Sequence, residues 1–215
     1  MKAKLLSEFI GTAFLVMIVL GSGIMGQNLF PQQNGLALLA NSIATGAGLF
    51  VLIQCLGPIS GAHFNPVVSI VEFLWKRLEK REVINYIIAQ MSGAYIGVLL
   101  THIMFDQKII QISTIDRSGL NLLFSEAIAT FGLICVVGLA GKKHGEFAPL
   151  SVASYITSAY WFTSSTSFAN PAVTFARVFT NTFGGMSFSH YLPFTLAQII
   201  AGILAGLLVY NSTDS

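Results

Sequence analysis

The chain has 215 residues, 54% of them hydrophobic and 9% charged, with a formal net charge of +2. Soluble domains carry a charged fraction of about a quarter, so this composition excludes an ordinary soluble globular fold and, with so few basic residues, a nucleic-acid surface. What remains is a membrane protein.

In chain order, apolar stretches lie at about 5 to 25, 36 to 56, 83 to 104, 120 to 140, 149 to 163 and 190 to 210, each near the ~20 residues of a bilayer crossing. Six spans leave little room for a soluble domain. The first carries Glu8 inside its apolar run with no small-residue cleavage site after it, so it is expected to stay in the protein rather than serve as a signal peptide. Cys55 and Cys135 both fall in apolar runs and read as small buried hydrophobes, not as a disulfide or metal pair.

Eight of the eleven basic residues, Lys2, Lys4, Lys76, Arg77, Lys80, Arg81, Lys142 and Lys143, lie at the N-terminus and in two connecting segments. The positive-inside tendency makes their shared side cytoplasmic and places both termini there. The run from Lys76 to Arg81 reads as a topology signal rather than a lipid or nucleic-acid patch.

The chain also repeats itself. LSEFIGTAFLV at 6 to 16 returns as FSEAIATFGLI at 124 to 134, HFNPVVSI at 63 to 70 as FANPAVTF at 168 to 175, and YIIAQMSGAYIGVLL at 86 to 100 as FTLAQIIAGILAGLL at 194 to 208. Three matches in one order define a duplication, with one repeat at about 1 to 105 and the other at about 119 to 211 of a single domain spanning 1 to 215. Each repeat holds three spans, an odd number, so the second starts from the opposite face of the membrane. Inverted repeats of this kind build sites near the midplane from discontinuous helices.

The Asn-Pro pairs fit such helices, because Asn is a favoured N-cap and Pro is tolerated at the first helical position. About ten helix-compatible residues follow Asn65 and about ten follow Asn170, enough for only ~15 Å, half a bilayer. Each half-helix is reached through a stretch expected to be non-helical, GPISGAH at 57 to 63 and TSSTSF at 163 to 168. Irregular backbone at that depth is tolerated where it lines a cavity or is buried in protein. Gly93 with Gly97, and Gly202 with Gly206, have the small-xxx-small spacing of closely packed helices.

Two Asn-Pro half-helices in inverted three-span repeats, each led by a Ser-Glu span, resemble the aquaporin and glycerol-facilitator family of channels over nearly the whole chain. The resemblance implies an all-α membrane fold of six transmembrane helices and two re-entrant half-helices, assembled as a homotetramer in the cell (inner) membrane. It implies a passive pore for water and small uncharged solutes such as glycerol-like polyols and urea, closed to protons and ions, with no cofactor and no metal. Asn65 and Asn170 would meet at the membrane centre, each oxygen capping its own helix and each amide donating into the lumen. Pro66 and Val67, and Pro171 and Ala172, complete the two motifs. The carbonyls of Gly61, Ala62, His63, Ser167, Phe168 and Ala169 would line the path. Glu8 and Glu126 match the family's buried carboxylates that brace the non-helical stretches; proton relay is the rival reading of the same two residues. His63 would brace its loop or line the lumen.

Two departures from the family stand out. Val67 replaces the usual Ala, adding bulk where the half-helices would touch. Val173 stands where most members have the Arg of the outer filter, and the family's spacing puts the four filter positions at Thr45, Ser158, Ser167 and Val173, none aromatic or charged. Such a filter would be wider, and strict water selectivity is not expected. Arg177, four residues on, either replaces that Arg or pairs with a carbonyl or a helix C-terminus at the outer mouth. The NPAVT second motif is similar to bacterial aquaglyceroporin-like members, a group associated with metalloid hydroxides such as arsenite. The other function classes are an ion-coupled alternating-access transporter, for which Glu8 and Glu126 would have to titrate, and an intramembrane enzyme, for which no Ser-His-Asp, HExxH or comparable set is present.

Overall fold

The computed structural model describes residues 1–143 and 145–213, without the side chains of 141–143 and 213. The Lys142 and Lys143 side chains used in the charge argument therefore lie outside the described residues. The chain is helical: α1 (Lys2–Leu29), α2 (Asn34–Ser60), α3 (Pro66–Leu74), α4 (Lys80–Met104), α5 (Leu120–Lys143), α6 (Ala148–Phe162), α7 (Pro171–Val178) and α8 (Tyr191–Thr213), with no strand among the described residues. Five of these helices are long and apolar enough to cross a bilayer. The sixth crossing, α6, has 15 residues, about 22 Å at the helical rise, and is preceded by a 3-10 turn at Gly145–Phe147.

The polarity of the bundle is inside out relative to a soluble protein. Glu8, Gln90, Glu126 and Gln198 are fully buried, while Phe14, Ile43, Ile88, Phe124, Leu196 and Ile200 are exposed. A soluble chain hides its large apolar side chains and almost never buries unpaired carboxylates; this exterior suits lipid. Cys55 belongs to it: the thiol is free and exposed and Cys135 is half-buried, which corrects the expectation that both are buried. Apolar sequence signals an apolar environment, and around α2 that environment is the lipid-facing exterior as well as the core.

Helix pairing follows the duplication. In repeat one α1 packs on α2 and α4, and in repeat two α5 packs on α6 and α8. The half-helices cross over, α3 against α8 and α7 against α4, so neither repeat completes its interior alone. Glycines allow the close approaches. A Cβ on Gly93 would collide with the Phe9 carbonyl, and one on Gly97 with that of Ala13. Gly202 and Gly206 instead receive Val67 and Val71 of α3. Val67 therefore fills a notch in α8, buried to 1% exposure, rather than adding bulk between the half-helices as expected from the motif alone.

Both half-helices begin as the Asn-Pro pairs dictate, α3 with 9 residues and α7 with 8. The approach to α3 differs from expectation, because α2 continues through Gly57 and Pro58 to Ser60 and ends on Gly61, whose left-handed backbone (φ 90°) lets its N–H bond the Gly57 carbonyl. Proline in a final helical turn forfeits a single backbone hydrogen bond, and a left-handed glycine closes that turn. Only 61–65 is irregular there, whereas 163–170 is irregular before α7.

Candidate functional site

Asn65 and Asn170 sit in extended conformation at the N-caps of α3 and α7. The Asn65 Oδ1 accepts from the Val67 N–H at 2.9 Å, and the Asn170 Oδ1 accepts from the N–H of Ala172 at 2.9 Å and of Val173 at 3.4 Å. The amides then cross between repeats. Asn65 Nδ2 donates to the Ala169 carbonyl and Asn170 Nδ2 donates to the Phe64 carbonyl, each at 2.8 Å. An amide carries two N–H donors, so one proton of each asparagine ties the repeats together and one is left for the lumen. The cross-bond also occupies the Ala169 carbonyl, which the sequence reading placed among the free carbonyls of the path.

The segments before the asparagines share an unusual backbone. Gly61, Ala62 and Phe64 have φ of 90°, 51° and 48°, and Thr166, Ser167 and Ala169, at the matching positions, have 63°, 50° and 47°. Left-handed backbone costs a non-glycine residue about 1–2 kcal/mol, so something must hold it. Glu8 accepts from the Ser60 hydroxyl (2.7 Å), the N–H groups of His63 (3.0 Å) and Phe64 (2.8 Å) and the Gln90 amide (2.8 Å). Glu126 accepts from the N–H groups of Phe168 and Ala169, both at 2.9 Å, and from the Gln198 amide at 2.6 Å. Ala62 N–H bonds the Ser60 hydroxyl and Ser167 N–H that of Ser165. With the N–H groups held by protein, the carbonyls of Gly61, Ala62, His63, Ser167 and Phe168 receive no protein donor among the described residues, and all five residues line one cavity of about 280 Å³ that also touches both asparagines. His63 lines it as well, its Nδ1 3.0 Å from the Ser69 hydroxyl and its ring 5.1 Å from that of Tyr86.

At the α7 end the cavity is lined by Thr45, Tyr160, Ser167, Val173 and Arg177. Ser158 is not among them. It is exposed, and its hydroxyl turns back to the Tyr155 carbonyl at 2.7 Å. The cavity face of α6 runs through Val152, Ile156 and Tyr160, one helical turn apart at each step, and a residue two positions from Ile156 and Tyr160 points elsewhere. Tyr160, whose hydroxyl lies 3.2 Å from that of Thr45, takes the place assigned to Ser158. The lining at this end therefore includes an aromatic side chain, unlike the four positions counted from the motif.

Arg177 is 3% exposed. One guanidinium nitrogen donates to the Gly184 carbonyl at 2.9 Å, and the guanidinium stands 3.9 Å over the Phe168 ring. Its Nε and the Ser167 hydroxyl are buried without a protein partner. Arg177 thus pairs with a carbonyl, as one of its two sequence readings has it, and it also borders the cavity. The linker between repeats, to which the sequence assigned only balanced charge, covers this end. Ser113 N–H bonds the Val178 carbonyl, Ser187 N–H bonds the Ile115 carbonyl, and Arg117 donates to the Gly185 carbonyl at 2.9 Å with its guanidinium 5.1 Å from the Phe168 ring. Gln90 and Gln198 were also passed over, although the recurrence of Ala-Gln inside two apolar spans was their signal.

A through-bundle cavity with two crossed asparagine caps, unpaired carbonyls and one buried guanidinium defines the class: a membrane pore for small solutes. Comparison with known proteins agrees. The family model described as Major intrinsic protein matches residues 1–210. The aquaglyceroporin AqpS of Rhizobium meliloti (strain 1021) is 47% identical over 94% of this chain and 86% of its own length. The aquaporin AqpM of Methanothermobacter marburgensis is 30% identical over 95% of this chain and 94% of its own. The X-ray structure of the aquaglyceroporin from Plasmodium falciparum has the same fold, with a TM-score of 0.69 at 19% identity over 100% of this chain and 96% of that one. The chain belongs to the major intrinsic protein family, integral membrane channels for water and small solutes.

Proposed function

We propose that this single-domain chain is a passive pore for water and small uncharged hydroxylated solutes, glycerol-sized polyols foremost, with urea and metalloid hydroxides such as arsenite as further cargo, and that it excludes protons and ions. The observation that carries the reading is the crossed pair of asparagines. Each keeps one amide proton for a passing oxygen, at the N-termini of two half-helices whose dipoles bring roughly +0.5 of an elementary charge each to that level. Donors at the centre orient a solute oxygen as acceptor from both sides, and the positive field opposes cations. Unpaired carbonyls on either side accept the solute's protons. Thr45, Tyr160, Ser167, Val173 and Arg177 form the constriction toward the outside, with Val173 leaving room that an Arg there would fill and Arg177 supplying the cationic donor from one turn further out. The name of the Rhizobium relative supports a glycerol-sized cargo.

Glu8 and Glu126 act in this reading as braces, since Glu8 already receives four donors and Glu126 three. The basic residues of the α3–α4 connection support a cytoplasmic location for that side and for both termini, in the cell membrane; assembly is as a homotetramer. Proteoliposomes containing the purified chain should take up water and glycerol faster than empty vesicles, without a pH gradient. Equal rates in loaded and empty vesicles for water, glycerol, urea and arsenite would overturn the proposal.

A further inference from the structure

The two half-helices are equivalent position by position from their asparagines, and this equivalence picks out a residue that no motif marks. Val68 and Val173, each three residues beyond its asparagine, both line the cavity; four residues further on are Glu72 in α3 and Arg177 in α7, and these line it too. The pore therefore carries an acid near one mouth where the other carries a base. Glu72 is not alone. The chain turns sharply after α3, with Lys76 left-handed at φ 60°, and the Arg77 N–H bonds the Glu72 carbonyl at 2.9 Å. That turn brings the Arg77 guanidinium to 3.2 Å from the Glu72 carboxylate, where it also lines the cavity.

The arrangement is anchored. The Arg77 guanidinium stands 4.8 Å over the Trp75 ring, and Trp75, 7% exposed, donates its indole N–H to the Gly206 carbonyl at 2.8 Å. Each mouth thus has a guanidinium over an aromatic ring, Arg177 on Phe168 and Arg77 on Trp75. They differ in charge, because Arg77 is ion-paired and Arg177 has no ion pair among the described residues. The Glu72 side chain is 14% exposed and that of Arg77 39%, so the pair is reachable from the lumen and is not a sealed structural contact.

We propose that Glu72 and Arg77 form a second specificity-determining site, at the mouth opposite Arg177, where a neutral solute with at least two hydroxyls donates to the carboxylate and accepts from the guanidinium as it passes. A paired site offers a polyol both a strong acceptor and a strong donor, while presenting no net charge that would hold an ion at the mouth. Water needs only one of the two contacts at a time. Loss of either partner should therefore cost polyol passage more than water passage, and should leave an unpaired charge facing the solute.

The inference rests on the pore reading above, and one experiment separates the two. Water and glycerol permeabilities are measured in proteoliposomes carrying the wild-type chain, Glu72→Gln, Arg77→Gln, the double variant, and Arg77→Lys, which keeps the charge. Each Gln variant should lower the glycerol-to-water ratio by about tenfold or more, the scale of one lost charge-assisted hydrogen bond, and Arg77→Lys should lower it less. The Glu72→Gln change keeps the side chain's shape. If a single variant fails to fold, the double variant, which leaves no unpaired charge, carries the same comparison. A ratio unchanged from wild type in the folded Gln variants overturns the second site while leaving the pore reading intact. A wild-type chain that passes neither solute overturns both.

Discussion

The two irregular segments that lead into the half-helices reach the same backbone from different supports. Before α3 the helix α2 continues to Ser60, and the left-handed residues Gly61, Ala62 and Phe64 are held by helix capping, by the Ser60 hydroxyl, by the Tyr86 hydroxyl on the Ser60 carbonyl (2.8 Å) and by four donors on Glu8. Before α7 the helix stops at Phe162, eight residues intervene, and all three left-handed positions, Thr166, Ser167 and Ala169, carry a side chain beyond hydrogen. There Glu126 with Gln198 is the chief restraint. The difference teaches that a duplicated geometry can be kept while the interactions that enforce it diverge; on the proposed pore reading, what matters is where the carbonyls lie and not what fixes them.

The comparison can be broken at the braces. Replacing Glu126 with Gln turns one acceptor oxygen into a donor facing buried N–H groups, and each lost charged hydrogen bond is worth about 1.5–3 kcal/mol. Glu126→Gln should lower the thermal midpoint of the detergent-solubilised protein by about 5 °C or more, given about 2–4 °C per kcal/mol at this chain length, and Glu8→Gln should lower it less. Equal shifts in the two variants would show that the extra support around Ser60 adds nothing. In the cavity lining, Val173→Arg adds a guanidinium on the face that carries Arg177; if this is the filter as proposed, glycerol flux should fall about tenfold further than water flux, the effect of about 1.4 kcal/mol of added barrier. If stopped-flow measurements gave the same fractional loss for both solutes, Val173 would not border the constriction.

The smallest effect belongs to the linker. The Ser118 hydroxyl (2.6 Å), with His190 (2.7 Å), holds the exposed Asp116 carboxyl below the usual carboxylate range. A depressed folded value makes this contribution present above the ordinary Asp pKa and lost as pH falls through the lower folded value. Asp116→Asn should change neutral-pH flux by less than about twofold, as for exposed ion pairs generally. Any midpoint difference from wild type should shrink as the medium is acidified; a difference that grows in acid would contradict the assignment.

Much of the molecule was legible because membranes restrict the options. Apolar length marks the crossings, an odd number of spans per repeat forces inversion, and Asn-Pro marks the half-helix starts; the caps at Asn65 and Asn170 follow from local chemistry. Less legible was the direction of each side chain. Ser158 and Tyr160 are two residues apart on one helix, and only the packing of α6 against α2 decides which meets Thr45. Val67 reads from the motif as added bulk between the half-helices, yet the notch at Gly202, far away in sequence, receives it.

The sequence by itself determined the membrane class, the duplication, the two capped half-helices and the presence of one carboxylate per repeat in an apolar span, since these depend on composition, period and nearest-neighbour chemistry. Only the tertiary structure decided that each asparagine bonds the other repeat's backbone, that Tyr160 and Arg177 line one cavity, and that Glu72 meets Arg77. Those contacts depend on how helices rotate and cross against one another, and rotation about a helix axis is set by the partners it packs against, which lie far away along the chain.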